Sequence, residues 1–173
     1  MTPLGHLSVS YIASGTLKRI SLPAIMIGGL LPDIDFLLFL FPFFDDIHRV
    51  ITHNVLFVLI VTGTGFMFYS RHPRKIDIVS GLLIGLILHL LCDSIMDDNM
   101  DNGIGVAIFW PFSEWFFSPF NIVTPQSGIG WNRPLEQMLT IFQNIVWEVP
   151  FWILAGIILS VKKVKYKANN VSP

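Results

Sequence analysis

The sequence predicts an all-α protein, embedded in a membrane as a polytopic helical bundle. Hydrophobic residues make up 53% of its 173 residues and charged residues only 13%, and its mean hydropathy is +0.64. That balance is typical of polytopic membrane proteins and not of soluble domains of this length. Four apolar runs, measured against the roughly 20 residues that cross a bilayer as a helix, predict about four transmembrane helices.

The four runs occupy residues 20–44, 55–69, 79–96 and 141–161. Pro32, Asp33 and Asp35 interrupt the first run, so we predict a broken first crossing. Irregular backbone at membrane depth is tolerated only where protein buries it or where it lines a wet cavity, so the break itself indicates a pocket. Ahead of it, residues 2–14 predict a short N-terminal helix that carries His6.

The chain has room for one domain and no separate soluble module. We predict a single membrane-embedded domain over residues 1–161, with an outer aromatic loop at 97–135, followed by a basic tail at 162–173. The formal net charge of −1 gives no sign of nucleic-acid binding. The lone Cys92 excludes an intramolecular disulfide and a cysteine-based zinc cluster.

Basic residues set the predicted orientation. They gather at 71–75 and 162–167, whereas acidic residues gather at 45–46 and 97–101, at the opposite ends of the runs. The positive-inside rule then places the 71–75 loop and the C-terminus in the cytoplasm. The sequence therefore predicts a multi-pass protein of the cell membrane.

Four polar clusters border or interrupt the apolar runs: His6; Asp33 with Asp35; His48 with Arg49 and His53; and His89 with Asp93. An ionisable residue at membrane depth costs about 2.5 to 3.5 kcal/mol, so the three unpaired carboxylates would together oppose insertion by about 8 to 10 kcal/mol. A divalent cation held by carboxylates and neutral imidazoles would neutralise them. At about 1.5 Å per helical residue, the clusters converge in the outer half of the membrane, although His6 must fold back to join them.

The third run gives the sharpest local geometry. Gly81, Gly85, His89 and Asp93 recur at four-residue spacing and so share one face of a helix. The glycines let a neighbouring helix approach closely, and the same face then presents an imidazole and a carboxylate one turn apart. A packing face with a plain histidine–aspartate hydrogen bond is the alternative to a shared cation.

Other residues near the clusters have two interpretations each. An aspartate after Pro32 can cap a helix, but a cap needs only one, and the pair favours metal binding. Thr52 or Asn54 can cap the helix that follows. Arg49 offers a planar fork suited to a phosphate or carboxylate, or it contacts lipid headgroups.

The predicted outer loop is rich in aromatic residues. They are Trp110, Phe112, Trp115, Phe116, Phe117, Phe120 and Trp131. Such a composition is typical of an interfacial belt or of a lid lying on the headgroups. A lid of this kind could admit a lipid-like substrate from the side.

Taken together, the ordered motifs resemble a known family. They are Gly5-His6-Leu7, Leu30-Leu31-Pro32-Asp33-Ile34-Asp35, His48-Arg49-x-x-Thr52-His53, Gly85-x3-His89-x3-Asp93 and Trp110-Pro111. This combination resembles the YdjM-like family of inner-membrane proteins, described as metal-dependent hydrolases with a ligand logic similar to that of zinc-dependent phospholipase C. The chain departs from the family pattern at Phe36, where many relatives carry histidine, and at Val50, where glycine is usual.

The resemblance implies a set of metal ligands. The implied ligands are His6, Asp33, Asp35, His48, His53, His89 and Asp93. The resemblance does not supply a substrate. From the residues and the membrane setting together we predict a membrane-bound hydrolase of an ester or phosphoester bond, with a lipid or lipid-linked substrate and one or two divalent ions. Zn²⁺ is the first expectation, and Mn²⁺ or Fe²⁺ also fit oxygen and nitrogen ligands.

The expected mechanism uses a metal-activated water. His89, Asp93, His53 and Asp33 would hold the metal. Asp35 would bridge a second ion or take the proton of the water, and Arg49 would clamp the substrate anion. Membrane lipid and a small or lipid-like substrate are the expected partners, and nucleic acid is not.

Two other classes remain open at this point. A broken helix with paired aspartates is also how secondary transporters coordinate cations, although no inverted repeat is visible. A metal that merely staples a small bundle is the third possibility. An open coordination position beside a groove would favour hydrolysis over both.

Overall fold

The computed structural model describes residues 1–17, 19–38, 41, 43–97, 103–123 and 134–171. This part of the chain is built from helices, which confirms the all-α class. The α-helices are α1 (Pro3–Thr16), α2 (Leu22–Leu30), α3 (Phe44–Ile47), α4 (Val55–Phe68), α5 (Lys75–Ile95), α6 (Pro134–Asn144) and α7 (Val149–Val171). Of two 3-10 helices, one, Leu31–Leu38, directly follows α2, and the other, Ile145–Trp147, lies between α6 and α7.

Helix α1 is the predicted short N-terminal helix. Thr2 caps it, because its hydroxyl oxygen accepts a hydrogen bond from the Gly5 amide at 3.2 Å, and Pro3 suits the first turn. The helix packs against α2 and α7 and contacts α5. It buries the face that carries His6 and Ser10, so the segment does fold back into the bundle.

The first apolar run breaks at its proline. Helix α2 ends at Leu30, and the tighter 3-10 segment begins at Leu31, directly before Pro32, and carries Asp33 and Asp35. Proline lacks the amide hydrogen that an α-helix needs at its interior positions, and its ring collides with the preceding turn. The chain therefore changes direction where the aspartates lie, and Asp35 is buried there.

Helices α2 and α5 meet almost backbone to backbone. A Cβ added to Gly85 would collide with the carbonyl oxygen of Ile25, and one added to Gly28 would collide with that of Leu82. A Cβ on Gly81 would lie 2.8 Å from the Cβ of Ala24. The predicted close-packing face of α5 is therefore present, and α2 is the helix that occupies it.

Helix α4 starts at an asparagine cap. The Asn54 side chain accepts a hydrogen bond from the Phe57 amide at 2.8 Å and donates to the carbonyls of Val50 and Ile51. Of the two residues that could cap this helix, Asn54 is the one that does. The cap fixes the turn in front of α4, which carries His53.

Helix α5 has the length and the composition of a membrane-crossing helix. Within the described ranges, α5 is the helix that is long and apolar enough to cross a bilayer, while α4 is apolar but has 14 residues. The 21 residues of α5 give a length of about 32 Å, close to the thickness of a bilayer core. Large apolar side chains are exposed on α4 and α7, as expected for helices in contact with lipid.

The described part of the predicted outer loop, residues 103–123, forms turns. A single bridge pairs Val106 with Phe117, and the Val55 amide donates to the carbonyl of Ile108 at 2.9 Å. Phe112 projects outward. Residues 98–102 and 124–133, which include Trp131, lie outside the described residues. At the other end, the predicted basic tail continues α7 as helix to Val171.

The α2–α5 contact predicts a large cost for Gly85→Ala. The added methyl group has to displace backbone, so we expect a loss of about 1 to 3 kcal/mol or more, measured as a lower thermal unfolding midpoint in detergent. Gly63→Ala on α4 is the matched control, since nothing lies within 4 Å of its Cβ position. A midpoint for Gly85→Ala equal to that of the control would contradict the close packing.

Candidate metal site

Five ionisable side chains from four parts of the fold meet in the interior. Helix α1 supplies His6, the 3-10 segment Asp33, the turn before α4 His53, and α5 both His89 and Asp93. One ligand atom from each of His6, Asp33, His89 and Asp93 can be chosen so that all lie within 4.8 Å of one another. We call these five residues the His–Asp cluster.

Four atoms at the centre of the cluster have the spacing of metal ligands. The Nε2 atoms of His53 and His89 are 3.0 Å apart, and Asp93 Oδ2 lies 3.3 and 3.2 Å from them. Asp33 Oδ1 lies 3.8 and 3.6 Å from the same two nitrogens. Tetrahedral bonds of 2.0 to 2.1 Å would place ligand atoms about 3.3 Å apart, so the four atoms nearly form such a shell.

His89 presents a bare nitrogen to this centre. Its Nδ1 lies 2.8 Å from the carbonyl oxygen of Gly29, which can only accept a hydrogen bond. Nδ1 therefore carries the proton of the neutral ring, and Nε2 is left with its lone pair. Backbone carbonyls orient metal-binding histidines in this way.

His53 is oriented by a relay of two hydrogen bonds. The Thr52 hydroxyl donates to Asp35 Oδ2 at 3.0 Å and so can only accept at its contact with His53 Nδ1, at 2.9 Å. Nδ1 of His53 is therefore the protonated nitrogen, and its Nε2 also offers a lone pair. A carboxylate behind a ligand histidine raises the basicity of the ligand.

These assignments create an electrostatic conflict that a cation resolves. In the buried interior the two imidazole lone pairs face each other, and each carboxylate oxygen lies within 3.8 Å of both nitrogens. Acceptors that lack donors are costly when buried, and buried charges are paired or bound to metal. The residues present therefore fit a divalent cation, and the nitrogen and oxygen donors suit Zn²⁺, Mn²⁺ or Fe²⁺.

His6 approaches the same carboxylate from the other side. Its ring stacks on His89 with centroids 3.7 Å apart, and its Nε2 lies 3.1 Å from Asp93 Oδ1. The Met1 amine lies 2.9 Å from that same oxygen. Apart from this contact with Asp93, neither ring nitrogen of His6 has a partner among the described residues. A neutral ring protonated on one nitrogen keeps a lone pair on the other, so His6 can act as a further donor beside Asp93.

Asp35 and His48 lie behind His53, further from the centre of the His–Asp cluster. Asp35 Oδ2 is 3.1 Å from His48 Nδ1 and 3.7 Å from His53 Nδ1, and the ring of His48 packs against Phe36 and Phe44. The structure thus places these two predicted ligands behind His53 and not beside His89 and Asp93. Their predicted metal binding stays a prediction, and their observed contact is with His53.

Arg49 is committed to a different partner. Its guanidinium forms a buried ion pair with Asp97, whose Oδ2 also accepts a hydrogen bond from the Gly105 amide at 2.6 Å. The predicted clamp for a substrate anion has no support in this geometry, because Asp97 neutralises the guanidinium. Arg49 instead links the turn before α4 to the outer segment, residues 103–123. There the Ala107 amide donates a hydrogen bond to the backbone carbonyl of Arg49.

Sequence reasoning missed Glu148. Its buried carboxylate accepts hydrogen bonds from the amide and the hydroxyl of Thr2, both at 2.5 Å. A negative charge at the N-terminus of α1 also suits the helix dipole. Glu148 thereby positions the helix that carries His6. Its signal was available, since a lone carboxylate within the run 141–161 is costly unless paired.

The described residues form a helical protein that exposes large apolar side chains and buries a candidate metal centre. The chain belongs to the YdjM inner membrane protein family, whose family model matches residues 1–169. This confirms the predicted resemblance and extends it over nearly the whole chain. Comparison with curated proteins and with solved structures gives no match.

The relay behind His53 predicts a specific loss in Thr52→Val. Valine keeps the shape of the side chain and removes both hydrogen bonds, so His53 loses the partner that fixes its tautomer. We expect zinc affinity to fall about 10- to 100-fold, measured by competition with a chromogenic chelator. Thr62→Val is the control, because the Thr62 hydroxyl bonds only within its own helix, to Val58 and Leu59. Equal affinities for the two variants would remove the relay from the site.

Proposed function

We propose that this protein is a multi-pass inner-membrane hydrolase that uses a divalent metal, Zn²⁺ first, to cleave an ester or phosphoester bond. The observation that carries the proposal is the arrangement of His53 Nε2, His89 Nε2, Asp93 Oδ2 and Asp33 Oδ1, four acceptors that face one another in the interior. Family membership supports the membrane location. The reaction itself is the proposal.

His53, His89, Asp33 and Asp93 would hold the metal, with His6 as a further donor beside Asp93. When bound, such an ion lowers the pKa of a water to about 7 and polarises the scissile oxygen. The protein's own contribution is orientation. Gly29 and Thr52 fix the two ring tautomers, so both imidazoles direct lone pairs at the same point.

Asp33 is the proposed acceptor of the water's proton. Its Oδ1 faces the two histidines, while its Oδ2 is buried without a hydrogen-bond partner among the described residues. A carboxylate with one oxygen toward the metal and the other unused can accept a proton in the transition state. The sequence assigned this role to Asp35, but Asp35 lies behind His53 and acts as a positioning residue for it.

The proposed topology has four crossings. Helices α4 and α5, the broken segment of α2 with its 3-10 extension, and the run through α7 would each contribute one. The basic loop 71–75 and the C-terminal part of α7 face the cytoplasm by the positive-inside rule. The His–Asp cluster then lies toward the outer side, where a lipid or lipid-linked substrate could reach it.

Cation transport is the second candidate function, and one observation favours it. The first apolar run is broken in the structure, and its 3-10 segment carries Asp33 and Asp35. Broken helices of this kind coordinate ions in secondary transporters. Uptake of the divalent metal itself into proteoliposomes, without any hydrolysis, would establish this alternative.

The test of the proposed function begins with metal content. Purified protein, loaded with zinc and dialysed extensively, should retain the metal by elemental analysis. A double variant, His89→Ala with Asp93→Ala, should lose it, because it removes two of the four central ligands. His72→Ala is the control, since His72 is exposed in the 71–75 loop and does not belong to the cluster. Equal trace metal in parent and double variant would contradict the site.

Activity is tested on the same preparations with chromogenic carboxylic esters and phosphodiesters. The zinc-loaded parent should hydrolyse one of the two classes, and removal of zinc should abolish turnover. Asp33→Asn should lower kcat by about 100-fold or more through loss of the proton acceptor. Zinc that binds and raises thermal stability without any hydrolysis would make the ion a structural staple and contradict the proposal.

A further inference from the structure

An apolar groove opens beside the His–Asp cluster, on the exposed side of α2 and the 3-10 segment. Residues of α2 and of the 3-10 segment line it, among them Ile27, Ile34 and Leu37, and its volume is about 400 Å³. Asp33 also lines it and is the one ionisable residue in that lining. The groove and the cluster therefore share a carboxylate.

Asp33 connects the two spaces through its two oxygens. Oδ1 lies 3.6 Å from His89 Nε2 and so belongs to the cluster. Oδ2 has no hydrogen-bond partner among the described residues, although the Asp33 side chain is only 8% exposed. A buried carboxylate oxygen without a donor leaves room for one, such as the O–H of the attacking water in the proposed reaction, so the scissile group of a substrate would lie beside Asp33.

The remaining walls of the groove suit a hydrocarbon. Ile27 is 54% exposed and Leu37 is 77% exposed, so the groove is open along the surface that an inner-membrane protein presents to lipid. A second cavity, of about 240 Å³ between α4, α5 and the outer segment, shares no residue with the cluster. Of these two cavities, the groove over the broken run is the one that reaches the His–Asp cluster.

We propose that this groove binds one aliphatic chain of the substrate, with the ester or phosphoester end of that chain beside Asp33, where the groove meets the His–Asp cluster. The substrate is then a single lipid-like molecule that enters from the bilayer. This inference rests on the proposed function and adds the substrate class and the residues that select it. Ile27, Ile34 and Leu37 would be the specificity-determining side chains.

The test uses non-hydrolysable alkylphosphonates, from ethylphosphonate to octylphosphonate. Binding to zinc-loaded, full-length protein in phosphatidylcholine nanodiscs is measured by calorimetry, with empty nanodiscs as the blank for partitioning. Each methylene that becomes buried should improve affinity by up to about 4-fold. We therefore expect octylphosphonate to bind at least about 50-fold tighter than ethylphosphonate.

Filling the groove should remove only the dependence on chain length. In Ile34→Trp, and independently in Leu37→Trp at a position too exposed to disturb folding, octylphosphonate should lose its advantage while ethylphosphonate binds as in the parent. Leu59→Trp is the matched control, because Leu59 is 61% exposed on α4, outside the groove. It should retain the full chain-length dependence.

Three results would overturn the inference, and they separate it from the proposed function. If both groove variants keep the chain-length dependence while ethylphosphonate binds, the groove is wrong but the open metal site stands. If 1-octanol competes as well as octylphosphonate, the groove holds only bulk lipid. If no phosphonate of any length binds to protein that retains zinc, the groove and the proposed hydrolase fail together.

Discussion

The structure depends on how carboxylates are accommodated inside an apolar bundle. Asp33 and Asp93 direct oxygens toward the Nε2 atoms of His53 and His89, and the hydrogen bonds behind the two rings leave both nitrogens as acceptors. The Met1 amine pairs with the other oxygen of Asp93, at 2.9 Å, but the oxygens that face the two histidines meet only acceptors, and buried acceptors without donors are costly. A bound cation would convert these residues from a destabilising group into a cross-link between α5, the 3-10 segment and the turn before α4.

The parts of this site that the sequence predicted are the local ones. Four-residue spacing put Gly85, His89 and Asp93 on one face of α5, and Pro32 marked the break in the first run, because both follow from the geometry of a single helix. The same spacing also accounts for the orientation of His89. Close contact at Gly85 brings α2 near enough for the carbonyl of Gly29 to reach His89 Nδ1 at 2.8 Å, so helix packing also sets the ring tautomer.

What the sequence could not predict depends on contacts between distant segments. The sequence predicted that Arg49 binds a substrate anion, whereas in the fold Arg49 pairs with Asp97. No spacing rule links these two residues. Glu148 lies 146 residues from Thr2, so the sequence could show that this carboxylate needs a partner but not that Thr2 supplies it. Asp35 stands two residues from Asp33, yet Asp33 faces His89 whereas Asp35 lies behind His53. Residue type alone could not show which of the two joins the His–Asp cluster.

X-ray absorption spectroscopy of the zinc-loaded protein tests whether His53, His89, Asp33 and Asp93 form one coordination sphere. We expect nitrogen and oxygen scatterers at about 2.0 to 2.1 Å, with the multiple-scattering signature of at least two imidazoles and no sulfur. His53→Ala and His89→Ala should each remove one imidazole from the fit. A shell of oxygen atoms without imidazole, unchanged in both variants, would show that these four residues do not hold the ion.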